Sequence, residues 1–131
     1  TVWPVEFYAI LEDIKAAGLS MESLNPDKPC GYLDAENSCR IYPFRPIICR
    51  THGLPLVYWQ EDHEPPGYGI VFCEKNFKDA EQMEFTAANT LNMDEVNEKL
   101  ARINLVFLDE MNDPTLTPET RIELRKLVDY L

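Results

Sequence analysis

Cys30-Gly-Tyr-Leu-Asp-Ala-Glu-Asn-Ser-Cys39-Arg-Ile-Tyr-Pro-Phe-Arg-Pro-Ile-Ile-Cys49-Arg50 carries three of the four cysteines of the chain, and Cys73 is the fourth. Arg40, Arg45 and Arg50 are interleaved with the thiols, in a protein whose net charge is −11. No sustained helical or strand period runs through the stretch. It therefore predicts an irregular loop around which regular elements are arranged. Asp34 to Ser38 reads as a polar turn between two short extended pieces. Pro43 to Arg50 reads as one or two helical turns with Pro43 near the start.

Upstream, Thr1 to Gly18 reads as a helix. Pro4 suits the first turn, where its missing N–H costs nothing, and Gly18 suits the exit. Phe7, Ile10, Leu11 and Ile14 fall at helical spacing and form one apolar stripe. Trp3, Phe7 and Tyr8 read as core aromatics. Leu19 to Pro29, with Asn25-Pro26-Asp27 and Lys28-Pro29, reads as a connector.

Downstream, Leu54 to Trp59 and Tyr68 to Cys73 are short apolar and aromatic runs. Gln60 to Gly67, with Pro65-Pro66-Gly67, separates them, so a hairpin with a long loop is expected. That hairpin would return Cys73 toward the cysteine-rich loop. Glu74 to Leu91 has no decisive period. Asn92 to Met111 is the best helix, with Asn92 as cap and Glu95 three residues on. Its expected face is Val96, Leu100, Ile103 and Phe107, widened by Val106. Thr117-Pro118-Glu119 reads as the start of a last helix with Leu124, Leu127, Val128 and Leu131 inward. The expected fold is mainly α (α+β): about three helices packed around the irregular Cys-rich loop, with a small β-hairpin.

At 131 residues the chain is read as a single domain, 1–131, large enough to bury a core. The acidic balance argues against nucleic acid and against an anionic membrane surface. No apolar run approaches spanning length, and no secretory signal is present, so a cytoplasmic location is expected. In that compartment four cysteines read as reduced ligands rather than a disulfide scaffold.

Their spacing is Cys30-x8-Cys39-x9-Cys49-x23-Cys73. Soft thiolates suit zinc, or iron in an iron–sulfur cluster, and four would close a tetrahedral site or complete one cluster. Four thiolates around one divalent ion leave excess negative charge. Arg40, Arg45 and Arg50 can offset it and donate to sulfur, with Arg45 and Arg50 the candidates flanking Pro46 and Cys49. Ion pairs with the many carboxylates are the alternative for these arginines. His52, three residues past Cys49, is a further candidate ligand. His63 lies in an acidic loop beside Glu61, Asp62 and Glu64 and reads as solvated. No CxxC pair is present, so spacing leaves buried or bridged thiols open beside metal ligands. No nucleophile motif, phosphate-cradling loop or dinucleotide fingerprint occurs, and no catalytic residue is assigned.

The run Cys39-Arg-Ile-Tyr42-Pro-Phe-Arg45-Pro46-Ile-Ile-Cys49-Arg50, preceded by Cys30-x-x-Leu33 and followed by Cys73, resembles the YkgJ-type cysteine-cluster family, also called the zinc- or iron-chelating CxxCxxCC domain. The resemblance covers about residues 30–73, with weaker similarity over Trp3 to Gly18. It implies that Cys30, Cys39, Cys49 and Cys73 are metal ligands for zinc or iron, including an iron–sulfur cluster. The CxxCxxCC cluster itself is missing from this chain. In the family it precedes a helix like Trp3–Gly18, so further thiols are expected before Thr1. The family includes a flagellin lysine N-methylase, which implies cluster-dependent protein modification as an alternative. A non-metal interaction module with buried or bridged cysteines is the remaining reading.

Overall fold

The structure, a computed structural model, describes residues 1–21 and 23–131; Glu22, within the expected connector, lies outside the described residues. The fold is mixed α+β, as expected. The chain divides into two compact units, residues 1–47 with 103–131, and residues 48–102.

The first unit is built on helix α1, Pro4–Ala16. Pro4 opens it, and the chain leaves through Gly18, whose φ of +65° is the left-handed exit that glycine adopts without strain. Phe7, Ile10, Leu11 and Ile14 are buried, so the predicted stripe is the core face. Each such side chain contributes about 1.5–3 kcal/mol by leaving water. They pack with Val2, Met21, Tyr32, Ile41 and Leu127. Phe7 meets Tyr8 and Tyr130 edge to face, and the Arg121 guanidinium lies 3.0 Å from the Trp3 ring centre.

The C-terminal segment departs from expectation. No helix starts at Thr117. The Thr117 N–H donates to Thr120 Oγ1 (2.8 Å) and the Thr120 N–H to the Thr117 carbonyl (3.0 Å), closing a local turn. Ile122 is then extended and exchanges two backbone hydrogen bonds with Val2, 2.8 and 2.9 Å. An extended residue there interrupts any helix begun upstream. Only Leu124–Tyr130 coils, as a 3₁₀ helix. The apolar assignment survives the change, with Leu127 fully buried and Leu124, Val128 and Leu131 packed on the core.

The second unit holds the expected hairpin, β1 (Leu56–Gln60) and β2 (Gly67–Val71), paired antiparallel from Leu56 opposite Val71 to Gln60 opposite Gly67. A short strand, β3 (Leu91–Asn92), adds in parallel to β1 and gives the order β2-β1-β3. Alternation puts Val57, Trp59, Tyr68 and Ile70 on one face, and Leu56, Tyr58, Gln60 and Val71 on the other. Gly69 lies opposite Tyr58, and the Gln60 amide sits where a Cβ at Gly69 would stand, so a side chain there would displace that amide. Residues 74–91, which lack a period, are organised by an aromatic cluster instead: Phe85 stacks on Phe72 at 5.1 Å, and Phe77 meets both rings.

Helix α2 is Ile47–Thr51 and α3 is Met93–Met111; the unit boundaries fall within them. The expected turns over Pro43–Arg50 split into a 3₁₀ turn, Tyr42–Phe44, and α2, with Arg45-Pro46 between them. A residue before proline is pushed out of the helical region, and Arg45 is extended, with ψ 138°. Asn92 caps α3: Oδ1 accepts from the Asp94 and Glu95 N–H groups, and its amide donates to Glu95. Of the expected inward face, Val96, Leu100 and Phe107 are half-buried, and the rest needs correction. Ile103 and Val106 are 56% and 60% exposed, and the fully buried residue of that stretch is Asn104. Asn104 Oδ1 accepts the Val5 N–H at 3.2 Å, satisfying an early amide of α1 that has no partner within its own helix.

Candidate functional site

In the first unit, Cys30 and Cys39 bracket the polar turn. Leu33 and Cys39 form a bridge, the Asp34 N–H donates to the Ser38 carbonyl, and the Asp34 carboxylate accepts the Ser38 N–H at 2.7 Å. Asn37 has φ +64°, a conformation asparagine tolerates better than most residues. Lys28 Nζ donates to the Ala35 carbonyl and to Asn37 Oδ1, which clamps the turn from outside. Cys30 is exposed and Cys39 half-buried.

Arg40 grips the same loop from inside. Its Nη2 donates to the carbonyls of Ser23 (2.8 Å) and Gly31 (3.0 Å), and its backbone N–H to the Tyr32 carbonyl. Its Nε–H is buried without an acceptor among the described residues. Tyr32 is buried, and its hydroxyl donates to the Leu124 carbonyl at 2.7 Å. Burial pushes the phenol up to about 12; charge on Cys30 and Asp129 adds to the rise, and Arg40 opposes it.

Of the other two arginines, Arg45 lies over the Tyr42 ring at 3.7 Å and donates from Nε to the Tyr42 carbonyl. Arg50 is exposed in the last turn of α2. The cation best placed to act on the Cys30–Cys39 loop is thus Arg40. The sequence signal for it was its position directly after Cys39, which Arg50 shares after Cys49, so adjacency alone did not separate them.

In the second unit, Cys49 is half-buried on α2 and Cys73 half-buried just past β2. The Cys73 carbonyl accepts from the N–H groups of Asn76 and Phe77, which fixes the chain direction there. Gly53, at φ +88°, lets the backbone run close beside: a Cβ on it would stand 3.7 Å from Cys73 Cβ and 2.7 Å from Asn76 Nδ2. His52 and Cys73 line one cavity of about 390 Å³, with Ile48, Leu54, Tyr58 and Phe72. Cys49 is outside that lining.

The structure therefore brings Cys30 and Cys39 onto one pinned turn, and His52 and Cys73 to one cavity. Cys30, Cys39 and Cys73 are free thiols. Among the described residues, no three or more His, Cys, Asp or Glu side chains stand close enough together to hold a metal ion. No helix of the described residues is long and apolar enough to cross a membrane. No family model matches the chain, and neither the curated proteins nor the solved structures contain a significant match to it.

Proposed function

We propose that the chain binds zinc or iron, the latter as an ion or an iron–sulfur cluster, through the thiolates of Cys30, Cys39, Cys49 and Cys73. One observation carries the reading. The loop that presents two free thiols also buries a guanidinium N–H, Arg40 Nε, with no acceptor among the described residues. An orphaned charged donor in a protein interior is costly, and a metal-bound thiolate is an acceptor of the required charge. The resemblance carried by residues 30–73 points the same way.

Thiolates carried on separate loops couple metal affinity to ordering of those loops. Zinc bound by such a set would act as a structural staple, and an iron–sulfur cluster would add electron transfer.

Purification without oxygen, followed by elemental analysis and a visible spectrum, tests the proposal. Iron with acid-labile sulfide and a brown colour supports a cluster; stoichiometric zinc in colourless protein supports a staple. Folded protein that arrives metal-free and takes up neither metal on titration overturns it. A second reading, a protein-interaction module, is favoured by the exposed Ile103 and Val106 on α3. It predicts thiols whose reaction rates are unchanged by chelator.

A further inference from the structure

The sheet face opposite the His52–Cys73 cavity borders a second, larger cavity of about 620 Å³ in the second unit. Its floor is Val57 and Ile70, paired across β1 and β2, with Tyr68 beside them. Phe85 from the 74–91 segment and Val96 and Lys99 from α3 close the sides. This volume falls within the range of about 300–1,000 Å³ typical of small-molecule sites, which are mostly apolar with a few placed polar groups.

Two of its walls are fixed by contacts outside the cavity. Phe85 is held by stacking on Phe72 and by the edge contact with Phe77. Tyr68 is held by its edge-to-face contact with Trp59 at 5.2 Å. Tyr68 and Ile70 nevertheless remain 64% and 40% exposed, an apolar and aromatic surface that no part of the described chain covers. The polar side is uneven. Glu95 lines the cavity too, but its carboxylate accepts the Asn92 amide at the helix cap. Lys99, one turn on, forms no ion pair among the described residues. A preformed apolar slot with one unclaimed ammonium at its edge suits a ligand with an apolar body and a single negative end.

We propose that this cavity binds a small amphipathic carboxylate, its aryl or alkyl body lying on Val57, Ile70 and Phe85 and its carboxylate meeting Lys99. The site is separate from the cysteines and does not depend on metal.

The test uses 4-phenylbutyrate and its neutral amide, 4-phenylbutyramide, titrated into the whole chain and followed by methyl and amide NMR. The acid is expected to shift the signals of Val57, Ile70 and Val96 saturably and to bind about tenfold more tightly than the amide. In Lys99→Met, an exposed helical position, that preference is expected to vanish while the amide binds as before. Ile70→Trp, at an exposed site on an edge strand, is expected to fill the slot and weaken both ligands. No saturable shifts at these residues, shifts centred elsewhere, or an acid preference that persists in Lys99→Met would each overturn the proposal.

Discussion

Tyr32 shows how one residue ties the cysteine loop to the core. Its ring is buried and its hydroxyl is spent on the Leu124 carbonyl. The folded protein holds the phenolic proton up to about pH 12, whereas an unfolded tyrosine releases it near 10. The stability this represents is fully present below about pH 10 and is lost as pH rises toward 12, because the unfolded chain then gives up a proton the folded one retains. Denaturant titrations at about pH 9 and about pH 11 should show a loss in the wild type that is smaller in Tyr32→Phe. At pH 7 the same variant should be about 1–2 kcal/mol less stable, since the part-buried Leu124 carbonyl loses its donor.

Gly53 makes a similar point in the second unit. A side chain there meets both a left-handed φ and the Asn76 amide at 2.7 Å. Gly53→Ala should cost roughly 1–3 kcal/mol in urea denaturation, from backbone strain and the displaced amide. Little of this was legible in the sequence. A glycine between His52 and Leu54 reads as a loop residue, and only the fold reveals that the Asn76 amide crowds it.

At the scale of elements, α3 separates what periodicity can tell from what it cannot. Its existence, its Asn92 cap and its length followed from local chemistry and were correctly read. Its buried face followed only in part: Val96, Leu100 and Phe107 are half-buried, whereas Ile103 and Val106 are exposed and a polar residue, Asn104, turns inward to serve α1. A stripe-counting argument assigns inside to the apolar side, and it fails where a neighbouring helix needs an acceptor. Asn104→Ala should destabilise the protein by about 1–3 kcal/mol, while Ile103→Gln and Val106→Gln should stay within about 0.5 kcal/mol. Thermal or chemical unfolding of the three variants side by side checks this. The C-terminal segment failed for a related reason: Thr117-Pro118-Glu119 has a helix-start composition, but pairing of Ile122 with Val2 requires extended backbone that local propensity does not register. The hairpin and α1 were legible because their turn residues and apolar spacing agree with their tertiary setting.

At the scale of the whole molecule, the proposed metal binding rests on the four cysteines. Each of the two compact units carries two of them, and the 30–39 turn is pinned by hydrogen bonds from Lys28 and Arg40 and to Asp34. The candidate residues were visible from the sequence, because thiols are few and soft. Their degree of assembly was not, because spacing in sequence says nothing about how far folding gathers them. Cobalt(II) titration into reduced, metal-free protein, followed in the near ultraviolet and visible, tests the central claim most directly. The account predicts a saturable thiolate-to-cobalt charge-transfer band, weakened by serine at each of Cys30, Cys39, Cys49 and Cys73 and displaced by zinc. A featureless titration, or a band unchanged when all four are serine, would contradict it.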